Sequence, residues 1–374
     1  MNHIGTVKLS ERILNHQHLE SSAYQVTSPA PREAWRELFQ NDPEALPTQS
    51  PEWLDCICAF GGYRDASRLY EFANGQQLLL PAVRRKGLPK RMSVQASWPH
   101  AWGTGGVVTK RPLEPGEVAE VFGDLANQPF LSMSIVPNPR QGELWRAAQP
   151  KGCIDVPRRA HVLDLEGGFD HVWQKSFASK TRNKVRRAEK SGLVVECDTT
   201  GKLIPVFHEL FRRSVDRWAE QQHEPRWLAH QRAEQRDPLR KLEHIARYMG
   251  KACSVWVAWQ GDRPAAACLV MYGGNADYMM GAMDKELAAP TNANDLLQKH
   301  AIEEACRLGC RYYHMGESGD SAGIAGFKER LGAQSYLYTE YKLERLPLSR
   351  IDSGLRSIVK RAIGFKDVGG AAGG

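Results

Sequence analysis

The densest run of chemistry-bearing residues is Trp173-Gln-Lys-Ser-Phe-Ala-Ser-Lys-Thr-Arg-Asn-Lys-Val-Arg-Arg-Ala-Glu-Lys190, which stops at Gly192. Phe177, Thr181, Val185 and Ala188 recur at helical spacing and form a narrow stripe, while Lys180, Arg182, Lys184, Arg186, Arg187 and Lys190 occupy the rest of the surface. Carboxylates are nearly absent within four residues, so the cations are not neutralised along the helix. An anionic ligand is the expectation, against the plainer reading of a solvated face. A second anion-binding feature is the start of the helix predicted over Asn292–Leu308, where Asn292 or Asn294 can cap and unpaired backbone N–H groups meet the positive end of the dipole. A third feature is the stretch Gly316-Glu-Ser-Gly-Asp-Ser-Ala-Gly-Ile-Ala-Gly326, too rich in glycine and small polar residues for a mere connection.

The elements that must position these residues run from Ala252 to Leu343. Ser254–Trp259 and Pro264–Tyr272 are apolar runs joined by Gly261-Asp262-Arg263, a hairpin signal, and Ala276–Ala282 is a third strand after Gly273-Gly274-Asn275. Leu297, Ala301, Ala305 and Leu308 lie on one face of the long helix, and Gly309 ends it. Arg311–Met315 is a strand, Phe327–Gly332 a short helix, and Ser335–Leu343 a last strand.

The first half carries helices at Pro31–Phe39 and Pro51–Phe60, then a hairpin of Arg68–Ala73 and Gln77–Val83 around Asn74-Gly75. Met92–Trp98 and Gly105–Val108 are expected strands, Pro115–Ala126 a helix, Phe130–Val136 a strand, and Ala160–Leu165 the strand that leaves this half. Trp98 and Trp102, beside Gly103-Thr-Gly-Gly106, are read as core packing or as the lining of a cleft between halves. Leu193–Cys197 is a strand, Lys202–Gln221 and Pro238–Met249 are helices, and the polar stretch Gln222–Asp237 reads as a loop. The order of elements repeats between halves, which suggests an internal duplication without a residue-level repeat. The expected layout is a loose end over 1–20, one unit over 21–166, a second over 167–346, and a basic amphipathic tail over 347–374. That tail, with Ile351, Leu355, Ile358, Val359 and Ile363 among cations, either packs back on the protein or touches a membrane surface.

A chain of 374 residues with 42% hydrophobic and 25% charged residues is a folded protein too long for one comfortable core. No apolar run approaches the roughly 18 residues of a membrane span, and the first residues lack the apolar core of a signal peptide, so a cytoplasmic location is expected, in one reading at the inner membrane face. The eight cysteines form no CxxC pair and the twelve histidines no HExxH or HxH pattern, which argues against a disulfide framework and a metal site. The net charge of +7 suits nucleic acid, an anionic membrane or a phosphorylated ligand.

Trp173…Lys180–Gly192, the Gly-Asp-Arg-Pro hairpin, Asn294-Asp-Leu-Leu297 and Gly316-Glu-Ser…Gly326-Phe-Lys-Glu-Arg-Leu-Gly-Ala333 together resemble the FemAB-like acyltransferases of the GNAT superfamily. The resemblance covers about Trp173 to Leu343 by motif, and the first half by its order of elements only. Before the long helix, Pro290-Thr-Asn-Ala-Asn294 replaces the GNAT phosphate-loop pattern, and His314 stands where the family often has an aspartate before its late glycine. The resemblance implies an α/β (α+β) protein of two tandem GNAT-like domains, each a mixed, mostly antiparallel twisted sheet flanked by helices.

It also implies transfer of an acyl group, acetyl first, from acetyl-CoA or another acyl-CoA to an amine or hydroxyl of a cell-envelope or polysaccharide precursor, small or lipid-linked. The alternatives are an aminoacyl-tRNA-dependent peptidoglycan aminoacyltransferase and a non-catalytic module that binds nucleic acid or a partner. Lys328 matches the lysine that follows the family's glycine-rich loop and is expected to orient an anionic donor or acceptor group, or to be a surface lysine. Glu317 is the carboxylate placed for a base or for capping the loop, and Tyr338 a proton donor or a sheet-face aromatic. Lys180, Arg182, Arg186, Asn292 and Asn294 are the expected donor-binding residues, and no metal is expected.

Overall fold

A computed structural model describes residues 24–319 and 321–347, together with 349 and 365. The expectations for residues 1–20 and for nearly all of the tail fall outside these. Among the described residues there are fourteen strands: β1 (Tyr24–Thr27), β2 (Tyr63–Asp65), β3 (Arg68–Phe72), β4 (Gln77–Leu80), β5 (Val83–Arg85), β6 (Ser93–Ala96), β7 (Phe130–Ile135), β8 (Ile154–Asp164), β9 (Leu193–Asp198), β10 (Cys253–Gln260), β11 (Arg263–Tyr272), β12 (Ala276–Met283), β13 (Tyr312–Glu317) and β14 (Gln334–Glu344).

Eleven of them form one sheet in the order β2-β5-β6-β7-β14-β8-β13-β12-β11-β10-β9. The expected duplication is written in this order. β2-β5-β6-β7 and β10-β11-β12-β13 each join two antiparallel pairs to one parallel pair. The last strand of each half is exchanged: β8 follows β7 in the chain but pairs with β13, while β14 follows β13 and pairs with β7. β8 and β14 then pair with each other from Val162↔Gln334 to Ile154↔Lys342 and fuse the halves into one sheet.

Helices cover both faces at β10 and β11, which are buried on both sides and read as near-continuous apolar runs. On one face Phe207, Leu210 and Phe211 of helix Ile204–Gln222 and Leu242 and Ile245 of helix Leu239–Met249 meet Val255, Leu269 and Met271. On the other, Leu297, Ala301 and Ala305 of helix Ala293–Arg307 meet Val270, Tyr313 and Met315.

Several expectations change. The Asn74-Gly75 hairpin forms, but β3 and β4 join β1 in a separate three-stranded sheet. Gln222–Asp237 is not a loop: helix Arg226–Arg236 buries only Ala229 and is held by the ion pairs of Arg226 with Glu220 and of Arg232 with Glu224 at 2.6 Å, and by a hydrogen bond between His230 and Asp216 at 2.7 Å. The basic run is broken into a π-helical turn, Val172–Ser176, and helix Ser179–Glu189, because Gly332 packs against Ser176 and Ala178 donates to the carbonyl of Arg330.

Gly105–Val108 is not a strand but a filler. The parallel ladder β6·β7 continues past its end, with Ser97 N–H donating to Ser134 O at 2.7 Å and Gly105 N–H to Val136 O at 3.0 Å. A Cβ at Gly105 would lie 2.4 Å from Ser97 Oγ, and Ser97 is fully buried. Gly105→Ala should therefore destabilise the protein by about 1–3 kcal/mol, as overpacking does, read as a lower thermal midpoint.

Candidate active site

The parallel pair of the second half behaves differently. β12 and β13 share only Ala276↔Tyr313 and Asp277↔His314, and from Tyr278 and Met315 onward they do not pair with each other. β13 is bent here: its ladder with β8 shifts register between His314 and Glu317, and Gly316 takes φ 69°, a conformation that glycine adopts without strain. The bulge takes the carbonyls of Gly316 and Glu317 out of the regular ladder. Lys328, on helix Ala322–Arg330 capped by Ser321, donates to both, at 3.0 and 2.6 Å.

Only 3% of Lys328 is exposed. An ammonium has three N–H donors, so two are used and one remains. Burial lowers its pKa to about 8, against the raising influence of Glu317 and Asp277. Asp277 is buried and accepts no side-chain hydrogen bond among the described residues, and burial raises its pKa to about 7 although the charge of Lys328 opposes that. His314, its partner in register, is pushed down to about 3 by burial, with Arg140 adding to the effect, and its Nε2 has no hydrogen bond. The point where the strands separate thus carries an ammonium with a free N–H and a carboxyl that is easily protonated, beside a neutral imidazole.

Glu317 faces a different set of groups. Arg158, on β8, donates Nη1 to both carboxylate oxygens at 2.8 Å and also binds Glu340, with Nε at 3.1 Å. Tyr338 donates its hydroxyl to Glu317 Oε1 at 2.6 Å. Burial and then Glu317 raise the Tyr338 pKa well above its ordinary value, so the phenol keeps its proton. Burial opposes the charge of Arg158, but Glu317 and Glu340 outweigh it and raise its pKa. The structure therefore brings Glu317, Lys328 and Tyr338 together, with both oxygens of Glu317 occupied.

The expected donor-binding residues lie apart from one another. Lys180 and Arg186 are exposed on helix Ser179–Glu189, whereas Arg182 turns inward and donates to the carbonyls of Phe177, Gln174 and Trp173. Asn292 does not cap with its side chain; it sits at φ 55° as the junction between helix Lys285–Thr291 and helix Ala293–Arg307. Asn294 Nδ2 contacts Met283 Sδ at 3.0 Å. The start of the long helix is instead taken by Asp295, buried and 3.6 Å from Lys184. Burial raises its pKa, against Lys184 and its own backbone N–H.

Sequence reasoning missed Asp277, Arg158 and Asp295. Asp277 is the one acidic residue in an apolar strand, and Arg158-Arg159 interrupts the alternation of β8.

A family model described as "Acetyltransferase (GNAT) domain" matches residues 175–329, the stretch that holds Asp277, Glu317 and Lys328. Among solved structures, FemX is similar over 87% of this chain and 99% of its own, with a TM-score of 0.62 at 12% identity, which shows a shared fold. A tandem GNAT protein from the clavulanic acid biosynthesis pathway covers 87% of this chain and 99% of its own, with a TM-score of 0.45 and 12% identity. L-PGS from Bacillus licheniformis covers 90% and 98%, with a TM-score of 0.43 and 14% identity. No curated protein matches the chain in sequence.

Proposed function

We propose that the chain is a FemAB-like acyltransferase of the GNAT superfamily and that it moves an aminoacyl group from a tRNA ester to a primary amine where β12 and β13 part. The observation that carries the reading is the combination of Lys328, with its unused N–H, and the unbonded carboxyl of Asp277 within its electrostatic reach.

In this reading a neutral amine attacks the ester carbonyl and the new C–N bond forms as Asp277 takes the amine proton. The carbonyl oxygen becomes an oxyanion and accepts a hydrogen bond from Lys328. Collapse re-forms the C=O bond and breaks the bond to the sugar oxygen, which receives the proton from Asp277. A base with a pKa near the working pH suits such a shuttle, and a fixed donor aimed at the developing charge lowers the barrier. Glu317 and Tyr338 act as positioning residues that fix the bent end of β13, and Arg158 anchors them.

The donor assignment rests on Asp295 and the basic helix. A buried carboxylate at the helix start repels a pyrophosphate at the place where backbone N–H groups would otherwise cradle it. Lys180, Arg186, Arg187 and Lys190 enter no ion pair among the described residues and suit a polyanion. Transfer from an acyl-CoA is the second reading, favoured by the match to a GNAT acetyltransferase domain. The acceptor is read as an amine on a small or lipid-linked cell-envelope precursor.

The test supplies labelled aminoacyl-tRNA or labelled acetyl-CoA with hydroxylamine as a small acceptor. The reading expects an aminoacyl hydroxamate from charged tRNA, steep salt dependence, and no competition by CoA. In Asp295→Asn, thermal protection by CoA should appear where the parent chain shows none. Acetyl hydroxamate from acetyl-CoA, with charged tRNA inert, would establish the second reading.

A further inference from the structure

We infer that the β5–β6 hairpin of the first half docks the protein on an anionic lipid bilayer. The hairpin carries Arg84-Arg85-Lys86-Gly87-Leu88-Pro89-Lys90-Arg91-Met92. Arg85, Lys86 and Arg91 are exposed, and none enters an ion pair or side-chain hydrogen bond in the described structure. The neighbouring carboxylates are engaged elsewhere: Asp55 pairs with Arg32, and Asp65 accepts from Ser67 at 2.6 Å and lies 4.0 Å from the same arginine.

The register sharpens this. Arg64 of β2 stands directly opposite Arg84 of β5. Two like charges side by side across a strand pair destabilise a sheet, and among the described residues neither enters an ion pair. An external anion supplies the opposite charge. At the tip, Leu88 is 38% and Met92 55% exposed among these cations. Cations for headgroups beside aliphatic side chains for the acyl boundary are the composition of an interfacial contact. The run has no aromatic residue on which a nucleobase could stack, which disfavours RNA.

The register sets the hairpin apart from the candidate active site. Ser93 is aligned through Phe130 with the far end of β14, past Glu344, whereas Glu317 is aligned through Ala160 with Tyr336. The two places are four strands apart and about ten residues, roughly 33 Å, apart along the strands. The docking is therefore inferred for the hairpin by itself.

The experiment is co-sedimentation of the full chain with vesicles of phosphatidylcholine containing phosphatidylglycerol, and with pure phosphatidylcholine. Retention only on the anionic vesicles, weakened by salt, is expected. Replacing Arg84, Arg85 and Arg91 with glutamine should lower vesicle affinity roughly a hundredfold, at about a fivefold loss per cation. Leu88→Ser/Met92→Ser should weaken it while leaving the salt dependence. Turnover with hydroxylamine, which needs no bilayer, should be unchanged in both. Absence of retention, retention indifferent to the arginine replacements, or retention on homopolymeric RNA with none on vesicles would each overturn the proposal. A chain that binds vesicles but transfers nothing would overturn the transferase reading and leave the docking intact.

Discussion

Lys328→Met should lower kcat for acyl transfer by about 10²–10³ while the protein stays folded, the range seen when one preorganised donor to an oxyanion is removed. The amine is held by two backbone carbonyls at 3.0 and 2.6 Å and so is fixed before substrate arrives. Its charge state gives the effect a pH signature. In the fold Lys328 loses its proton near pH 8, against an ordinary 10.5. Activity that needs the ammonium must fall as pH rises through about 8, and that limb must be missing from the residual activity of Lys328→Met. Stability moves the other way. Between about 8 and 10.5 the unfolded chain holds a proton that the folded chain has released, so raising pH across that window favours the fold. A variant with full kcat, or an unchanged alkaline limb, would remove Lys328 from the chemistry.

Arg158→Ala should be the most destabilising of the single substitutions at the site. It leaves Glu317 and Glu340 facing each other without their shared cation, and their side chains are only 31% and 12% exposed. Removing one member of a buried charge cluster costs about 3–5 kcal/mol, because the remaining charges stay desolvated. The thermal midpoint should drop on the order of 5 °C or more. Replacing the cluster together, Arg158→Met with Glu317→Gln and Glu340→Gln, should recover most of the loss. A midpoint unaffected by Arg158→Ala would mean that the cluster does not hold the end of β13.

Much of this arrangement could be read before the structure, where a local signal existed. The Gly261-Asp262 turn predicts β10 and β11, and the glycine-rich stretch ending in Phe327-Lys328 points to the loop that delivers Lys328. What could not be read depends on tertiary partners. Helix Arg226–Arg236 has a weak apolar stripe and is fixed by carboxylates from the preceding helix and turn. Arg182 looks like its cationic neighbours along the helix, and only the fold turns it onto three carbonyls. Asp277 sits in a run of apolar residues, and its counterpart Lys328 arrives on a distant helix. Asp295 reads as an ordinary acidic residue in a helix first turn until burial shows that it occupies the helix start. The exchange of β8 and β14 leaves no mark in either strand, since the residues of a strand do not specify which neighbouring strand it pairs with.

The central claim is that Asp277 and Lys328 form one catalytic unit where β12 and β13 part. The pH dependence of kcat/KM for hydroxamate formation, in the parent chain and in Asp277→Asn, tests it most directly. Asp277 titrates near 7 and Lys328 near 8, so the parent chain should give a narrow bell, rising through about 7 and falling through about 8. In Asp277→Asn the rising limb should vanish and the maximal rate drop about 10²–10⁴, as when a general base is lost. A rising limb that persists in Asp277→Asn with little loss of rate would contradict the claim.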